Sequence, residues 1–241
     1  KIGFKQVVAQ YGYPLISKEV AECVRQAKAS LIKGDYTYRL AKLYGTAVDE
    51  QGRKSLYNIE NYRPLLKAPF KISGQCCEIM KKQPFKEYNK HNKAVPFIGT
   101  MAEESRGRAT AWRKTGCNAF SSKDPHSMPL SFWTRQDILG YILYRHLDYA
   151  KSVYGDIIEK KGKLITTKAQ RTGCEFCLFG AHCKDDRRFL ILKNQDRKRY
   201  DYIMGGGDFD SEGCWIPNNK GLGYWFIFEW AEKNLGIKYK V

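Results

Sequence analysis

The 241-residue sequence has no run of about 18 uncharged apolar residues, so no membrane-spanning helix is expected. Its first residues lack the apolar core and small-residue cleavage site of a signal peptide. Low-complexity segments are absent and aromatic residues make up 14%, which excludes an intrinsically disordered chain. The sequence begins with Lys1 rather than Met. We therefore expect a globular protein without a membrane partner that starts inside a longer protein.

Acidic residues are scarce relative to basic ones. Asp and Glu number 25 against 42 Lys and Arg, which gives a formal net charge of +17. Such a surplus favours a polyanionic partner, either a nucleic acid or a phosphorylated small molecule. Basic residues are densest over residues 184–199 and again over 81–93. Charge alone does not choose between the two partners.

A glycine-rich phosphate-binding loop before a helix is also missing. The run of three glycines at 205–207 is not followed by the Lys and Ser that such a loop requires, so it predicts a flexible turn.

Cysteine is the most informative residue type present. The eight cysteines are Cys23, Cys76, Cys77, Cys117, Cys174, Cys177, Cys183 and Cys214. A secreted disulfide scaffold does not suit a long chain that can bury a core and has no signal peptide. Adjacent cysteines cannot easily pair with each other, and Cys-x-x-Cys is a ligand or redox spacing. The pattern favours a metal or iron–sulfur site in a reducing cytoplasm.

Four thiolates are the candidate ligands: Cys76, Cys77, Cys174 and Cys177. Such a set can enclose zinc or a [4Fe-4S] cluster. Most zinc sites use two separated Cys-x-x-Cys segments, whereas neighbouring thiolates fit more easily on different irons of a cube. We therefore favour the cluster, with zinc as the alternative. Cys183 is a competing ligand that could replace Cys76, and the remaining cysteines are expected to be ordinary thiols.

Hydrophobic periodicity predicts a mixed α/β chain. Residues 13–16 form a short strand, and Ser17 caps a helix that runs to about residue 32. A helix opening at Cys76 is interrupted at Pro84. Residues 94–99 make the best strand of the chain, and Thr134 caps a helix with Asp137 three residues on. A single helix is expected to follow the last cysteine loop through residue 199.

The polar loop at 99–108 is a second candidate site, because ligands of open α/β sheets bind beyond the carboxyl ends of strands. Ser105 offers a hydroxyl, and Arg106 and Arg108 offer guanidinium groups suited to phosphate. We add Glu104 from the same loop and Lys18 as a further cation. A solvated charged loop is the alternative.

Four segments in this order resemble the phosphoadenosine phosphosulfate and adenosine phosphosulfate (PAPS/APS) reductase family of the PP-loop, adenine nucleotide alpha hydrolase-like superfamily. They are Cys76-Cys77-Glu78-Ile79, the loop at 99–108, Pro129-Leu130-Ser131-Phe132-Trp133-Thr134 with Asp137-Ile138, and Cys174-x-x-Cys177. The resemblance implies a Rossmann-like three-layer α/β fold and an adenine sulfonucleotide or ATP as ligand. It also implies that Cys76, Cys77, Cys174 and Cys177 bind a [4Fe-4S] cluster near the nucleotide.

The sequence departs from this family at three places. The N-terminal PP-loop (Ser-Gly-Gly-x-Asp-Ser) is missing, so we expect a fold incomplete at its N-terminus and a partner chain that could supply the loop. Met101 stands where the family usually has Arg. The catalytic Glu-Cys-Gly-x-His tail is absent, and Cys214 is a poor substitute. The departures resemble divergent members from phages and mobile elements, whose relatives serve in DNA phosphorothioation and tRNA thiolation.

We expect a PAPS reductase-like domain over residues 1–200, with helical structure in its C-terminal part, and an aromatic-rich extension over 201–241. The predicted function is sulfonucleotide reduction or nucleotide-activated sulfur transfer, with DNA or tRNA as alternative acceptors. The sequence leaves open whether the chain is an enzyme; an active one would be an oxidoreductase or sulfurtransferase. The rival hypotheses are a nucleic-acid-binding module with structural zinc and an inert partner subunit.

Overall fold

The computed structural model describes residues 2–122, 124–170 and 173–241. The chain divides into two compact units: unit 1 comprises Lys1–Pro84 and Cys174–Val241, and unit 2 comprises Phe85–Gly173. The boundary that the sequence predicts after residue 200 falls inside unit 1. Helices and short strands occur in both units, which agrees with the predicted α/β class.

Helices carry most of the regular structure. The α-helices are α1 (Phe4–Tyr11), α2 (Lys18–Lys33), α3 (Tyr38–Tyr44), α4 (Gln83–Asn92), α5 (Arg106–Thr115), α6 (Arg135–Tyr144), α7 (Lys151–Tyr154), α8 (Arg188–Gln195), α9 (Arg197–Met204) and α10 (Tyr224–Leu235). Two 3₁₀ helices lie at Glu60–Lys67 and Ala102–Glu104, and a π-helix spans Glu78–Lys82. In the described part of the chain, no helix is both long and apolar enough to cross a bilayer.

The strands are short and form three pairs in the described residues. They are β1 (Leu15–Ile16), β2 (Ile157–Lys160), β3 (Lys163–Thr166), β4 (Leu178–Phe179), β5 (Asp208–Phe209) and β6 (Trp215–Ile216). β1 pairs in parallel with β4, whereas β2–β3 and β5–β6 are antiparallel. A further parallel bridge joins Tyr13 to Ile72.

Unit 1 is therefore built around three parallel segments. The backbone of Tyr13 accepts from the Ser73 N–H (3.1 Å) and donates to the Lys71 carbonyl (2.8 Å). On the other side, Leu15 and Ile16 lie opposite Leu178 and Phe179. All three segments are fully or largely buried, as parallel strands usually are.

Helix α2 follows β1 directly, as the sequence predicts. The Ser17 hydroxyl accepts from the Val20 N–H at 3.1 Å, which satisfies one free donor of the first turn. The helix ends at Gly34, whose φ of 76° is the left-handed conformation that glycine adopts easily. Its apolar face is buried in the core of unit 1.

Aromatic side chains of the C-terminal segment complete that core. Tyr224 of α10 is fully buried and lies edge-on to Tyr13 at 5.9 Å between ring centroids. Phe189 of α8 contacts both Tyr224 and Phe228. The aromatic residues after 200 thus pack on the same parallel segments as the residues before them.

Unit 2 is centred on α6. The Thr134 hydroxyl accepts from the Asp137 N–H, and the Asp137 carboxylate accepts from the Thr134 N–H, which confirms the predicted capping box. Gln136 exchanges two hydrogen bonds with the backbone of Leu164 at 2.8 and 2.9 Å. These bonds fix α6 on the hairpin formed by β2 and β3.

Three predicted elements differ from the structure. Residues 94–99 are largely exposed, and within the described residues they make one bridge, from Phe97 to Ser127, with no second strand beside them. The helix at Cys76 continues through Pro84 to Asn92, since the π-helix widens the turn ahead of the proline ring. The helix expected over 184–199 is two helices, separated at Asp196, which caps the second.

An ion pair between α2 and α3 gives unit 1 a pH dependence. The ammonium of Lys42, with a side chain only 4% exposed, lies 2.7 Å from Glu19, and this bond lowers the pKa of Glu19. Glu19 therefore stabilises the fold above its unfolded pKa of about 4.3, and this contribution disappears as pH falls through its lower folded pKa. We expect Glu19→Gln to lower stability at pH 7 by about 1 kcal/mol or less.

Chemical denaturation at pH 7 and pH 3 measures this effect. The difference between wild type and Glu19→Gln should shrink at pH 3, and Glu50→Gln, at an exposed position, should leave stability unchanged at both. A difference of equal size at the two pH values would contradict the role of the charge.

Candidate functional site

The carboxyl ends of the three parallel segments of unit 1 bring the chemically informative residues together. β1 leads into Ser17 and Lys18, the segment through Ser73 leads to the cysteine pair at 76–77, and β4 leads to Cys183. Gly74 shows how closely they approach, because a Cβ there would lie 3.7 Å from the Lys18 carbonyl oxygen. It would also lie 3.8 Å from the Phe179 ring. This is the edge at which open α/β sheets bind their ligands.

The four predicted ligands form one group of interacting thiols in unit 1. Burial raises the pKa of Cys76 to about 12, and the charges of Cys77 and Cys177 act in the same direction. Cys174 lies at the surface, but neighbouring groups remove enough water from its thiol to raise its pKa. The charges of Cys177 and Cys77 add to that shift. Cys183 is not among the groups that shift the pKa of Cys76 or Cys174.

The adjacent cysteines diverge because they occupy the first turn of a helix. Successive side chains of an α-helix point about 100° apart. Accordingly, Cys76 is buried in the core of unit 1, whereas Cys77 is half-buried. The π-helix begins at the next residue, and such widened turns often occur at functional sites.

Three side chains hold the Cys174–Cys177 loop (residues 174–177) in place. Arg188 donates from Nη1 to the Cys177 carbonyl at 2.7 Å, and its guanidinium also binds Asp186. The Tyr224 hydroxyl donates to the Phe176 carbonyl. The Phe176 ring stacks on Phe4 with centroids 4.8 Å apart. The loop is therefore a braced structure rather than a free turn, although one of its thiols is exposed.

The donor set consists of four thiolates, which suit either a [4Fe-4S] cluster or a single zinc ion. Within the described residues, no group of three or more His, Cys, Asp or Glu side chains is arranged to hold a metal ion. Four thiolates around one zinc must all lie about 2.3 Å from it. A [4Fe-4S] cube instead takes each thiolate on a separate iron, so its ligands lie farther apart. The all-sulfur set, from two segments that meet in the fold, suits such a cube.

A cavity of about 480 Å³ opens at the same strand ends. Its walls include Ser17 and Lys18 at the start of α2, and His182 and Cys183 after β4. The amino end of a 16-residue helix and a lysine both favour an anion. Nδ1 of His182 is buried and has no hydrogen-bond partner in the described part of the chain. The cavity therefore has the chemistry of an anion-binding site, and one of its wall residues, His182, carries a buried polar atom without a partner.

The predicted loop at 99–108 lies in unit 2, whereas Lys18 lies in unit 1. Ser105 caps α5, with its hydroxyl accepting from the Arg108 N–H at 3.3 Å. Arg108 forms an ion pair with Glu104. Arg106 is exposed in the first turn of α5. The loop thus brings Glu104, Ser105 and Arg108 together. The Ser105 hydroxyl and the Arg108 guanidinium already have protein partners.

A second cavity, of about 500 Å³, lies in unit 2 and was not predicted from the sequence. Glu104 of the predicted loop is on its wall, together with the apolar face of α6. Arg135 donates its backbone N–H to Glu103 at 2.6 Å, and its guanidinium donates to the Thr166 hydroxyl at 3.2 Å. Arg135 follows the predicted cap at Thr134 in the sequence, and this position was the signal that could have identified it as a residue of the cavity.

Sequence reasoning also missed Arg188, Tyr224 and His182. In the sequence Arg188 is one residue of the basic stretch at 184–199, and nothing nearby distinguishes it from its exposed neighbour Arg187. Tyr224 lies 47 residues beyond Cys177 in the sequence, so only the packing of α10 reveals its bond to the cysteine loop.

A family model, the phosphoadenosine phosphosulfate reductase domain, matches residues 8–216. No curated protein and no solved structure matches the chain. The matched range includes both pairs of cysteines, the loop at 99–108 and the anion cavity. It extends past the parallel segments into β6. The chain therefore belongs to the phosphoadenosine phosphosulfate reductase domain family, whose members bind adenine sulfonucleotides.

Proposed function

We propose that this chain binds an adenine sulfonucleotide next to a [4Fe-4S] cluster and acts in sulfonucleotide reduction or in transfer of its sulfur. One observation carries the proposal. Thiols from two segments almost 100 residues apart meet at the strand ends that also form the anion cavity. Family membership supplies the ligand class.

Cys76, Cys77, Cys174 and Cys177 would hold the cluster. When bound, the cluster would supply electrostatic and structural support beside the nucleotide. Arg188 would keep the Cys177 segment in position through its bond to the carbonyl, and its positive charge would offset that of the nearby thiolate. A structural zinc is the alternative, and it would use the same four thiolates.

The anionic end of the nucleotide would bind at the amino end of α2. Lys18 supplies a positive charge there, and the first backbone N–H groups of the helix supply donors. His182, whose pKa is lowered by burial, would offer its unpartnered Nδ1 to the ligand. These groups would hold and orient the phosphosulfate and replace the water around it.

A thiol-dependent step would use Cys183 rather than Cys214. Cys183 is on the cavity wall with Ile16, at the carboxyl end of the β1 segment. Cys214 interacts instead with Tyr13, at the opposite end of that segment. Burial is the largest cause of the raised pKa of Tyr13, and the charge of Cys214 is the second. The cavity therefore has one exposed thiol on its wall.

We further infer that the three parallel segments of unit 1 correspond to the Rossmann-like sheet of the family. Each is buried, and β1 is followed directly by a helix, as in parallel α/β folds. A PP-loop supplied by another chain, a DNA or tRNA acceptor of sulfur, a phage origin and a cytoplasmic location stay predictions from the resemblance and the cysteine pattern.

Replacing Lys18 tests the nucleotide site. Because a charged donor is lost, we expect Lys18→Ala to weaken binding of adenosine phosphosulfate about tenfold in isothermal titration calorimetry. Lys33→Ala, at the other end of the same helix, is the matched control and should bind as wild type.

Adenosine serves as a second ligand, because it lacks the anionic group and its binding should be equal in Lys18→Ala and wild type. Unchanged adenosine phosphosulfate binding in Lys18→Ala, or an equal loss in Lys33→Ala, would contradict the assignment of this cavity.

A further inference from the structure

We propose that a groove on α6 binds a small organic cation that carries a quaternary ammonium group. The aromatic groove is defined as the carboxylate of Asp137 and the rings of Phe132, Trp133, Tyr141 and Tyr144. These residues line a third cavity, of about 620 Å³, which is within the size range of small-molecule sites. The groove lies wholly in unit 2, so the proposal does not depend on the cluster or on nucleotide binding.

The spacing along α6 places the groove on one face of the helix. At about 100° per residue, an arc of about 100° contains Asp137, Gly140, Tyr141 and Tyr144. Trp133, just before the cap, lies edge-on to Tyr141, with 5.3 Å between ring centroids and 84° between ring planes. The two rings therefore form perpendicular walls beside the carboxylate.

The rings of the groove remain in contact with water. Tyr144 is 78% exposed, Phe132 61% and Tyr141 44%. Aromatic side chains normally bury large areas in cores and interfaces. Because these three rings surround one cavity and stay exposed, their surfaces are available to a ligand.

Gly140 lies between Asp137 and Tyr144 on the same face and leaves the floor of the groove open. Glycine destabilises the interior of a helix relative to alanine. Packing does not require it here, because a Cβ would lie 3.8 Å from Leu164, which is an ordinary contact. The missing side chain instead gives a ligand access to the space between the rings.

The rings and the carboxylate attract charge of the same sign. The faces of aromatic rings carry negative potential and attract cations. Oδ2 of Asp137 accepts two bonds of 2.7 Å from Thr134, which lower the pKa of the carboxyl, whereas Oδ1 has no hydrogen-bond partner in the described part of the chain. None of the described residues that line the cavity is Lys or Arg. The groove is thus a local site for a cation on a chain with a net charge of +17.

The walls favour a quaternary ammonium group over other cations. Gln136 also lines the cavity, but both ends of its amide are bonded to the backbone of Leu164. A primary ammonium or a guanidinium group carries several N–H donors, which would face the rings without strong acceptors. A quaternary ammonium group has no N–H donor and binds through ring faces and charge alone.

Choline is the probe, and isothermal titration calorimetry with the full chain measures its binding. The matched neutral ligand is 3,3-dimethylbutan-1-ol, which has carbon in place of the nitrogen and nearly the same shape. Choline should bind at least about tenfold more tightly than this alcohol, because the ring faces and Asp137 act on the charge. Ethanolamine, a primary ammonium, should bind more weakly than choline.

Two substitutions test the groove itself. Tyr144→Leu should weaken choline binding about fivefold and leave binding of the alcohol nearly unchanged, because leucine is apolar but has no ring face. Asp137→Asn should act in the same way, since asparagine keeps an oxygen that can accept from Thr134 but has no charge. The matched controls are Tyr88→Leu and Asp148→Asn, which replace an exposed ring and an exposed carboxylate elsewhere in unit 2. Both controls should bind choline as wild type.

Circular dichroism should show all four variants folded, since each replaced side chain is exposed. Absence of choline binding would overturn the proposal, and equal binding of choline and the alcohol would reduce the groove to an apolar patch. Equal losses in the controls, or tighter binding of ethanolamine than of choline, would also overturn it. So would binding to phosphatidylcholine vesicles without binding of free choline.

Discussion

Cys77→Ser is expected to lose the iron and acid-labile sulfide of the anaerobically purified protein and to lower its thermal stability. Serine is a poor ligand for iron. Cys77, at the start of the helix, also interacts with Cys174 on the loop, so it connects the two pairs of cysteines. Binding of a metal group only to the folded state adds its binding free energy to folding. A loss of about 4 kcal/mol would lower the melting temperature by roughly 10 °C.

Two matched variants make this result specific. Cys117→Ser replaces a half-buried thiol of unit 2 and should keep full iron and sulfide. Cys183→Ser should also keep both, because Cys183 does not belong to the group of interacting thiols. Loss of the cluster in Cys183→Ser together with its retention in Cys76→Ser would mean that Cys183 replaces Cys76 as a ligand. Full iron and sulfide in Cys77→Ser would refute the assignment.

Gly12→Ala is expected to destabilise unit 1 severely, because it breaks the pairing of the parallel segments. A Cβ at Gly12 would lie 2.3 Å from the carbonyl carbon of Lys71, in the backbone that pairs with Tyr13. The φ of 106° adds strain for any side chain. Since backbone cannot move aside as a flexible side chain can, we expect a loss of about 3 kcal/mol or more.

Gly34→Ala separates the effect of backbone strain from the effect of the close approach to Lys71. Gly34 also has a positive φ, but nothing lies within 4 Å of the Cβ position, so only backbone strain of about 1 kcal/mol is expected. Chemical denaturation of both variants measures the difference. Equal losses would mean that the approach of Gly12 to Lys71 contributes nothing, and would contradict the pairing of these segments.

The helices that the sequence predicts well are those with local stop and start signals. Ser17 and Thr134 accept from the backbone three residues ahead, and each bond involves only neighbours in sequence. Strand pairing depends on partners far along the chain. The apolar run at 94–99 therefore predicts a strand, whereas in the described part of the chain this run forms a single bridge, to Ser127.

The four cysteines could be proposed as ligands from the sequence, and that role stays a prediction; the groups that brace them could not be named in advance. Cysteine spacing indicated which thiols belong together, because ligand chemistry limits the residue types. The groups that brace them come from packing: Arg188 and Tyr224 reach the cysteine loop only once α8 and α10 are in place. The exposure of α4 is likewise a tertiary property, since its sequence indicates only a basic segment after Pro84.

The most direct test of the central claim is the iron, acid-labile sulfide and zinc content of the wild-type protein purified under strictly anaerobic conditions. The account predicts about four irons and four sulfides per chain, bound by the four thiols of unit 1. About one zinc per chain without sulfide would contradict it, and would leave a zinc-stabilised module on the same fold.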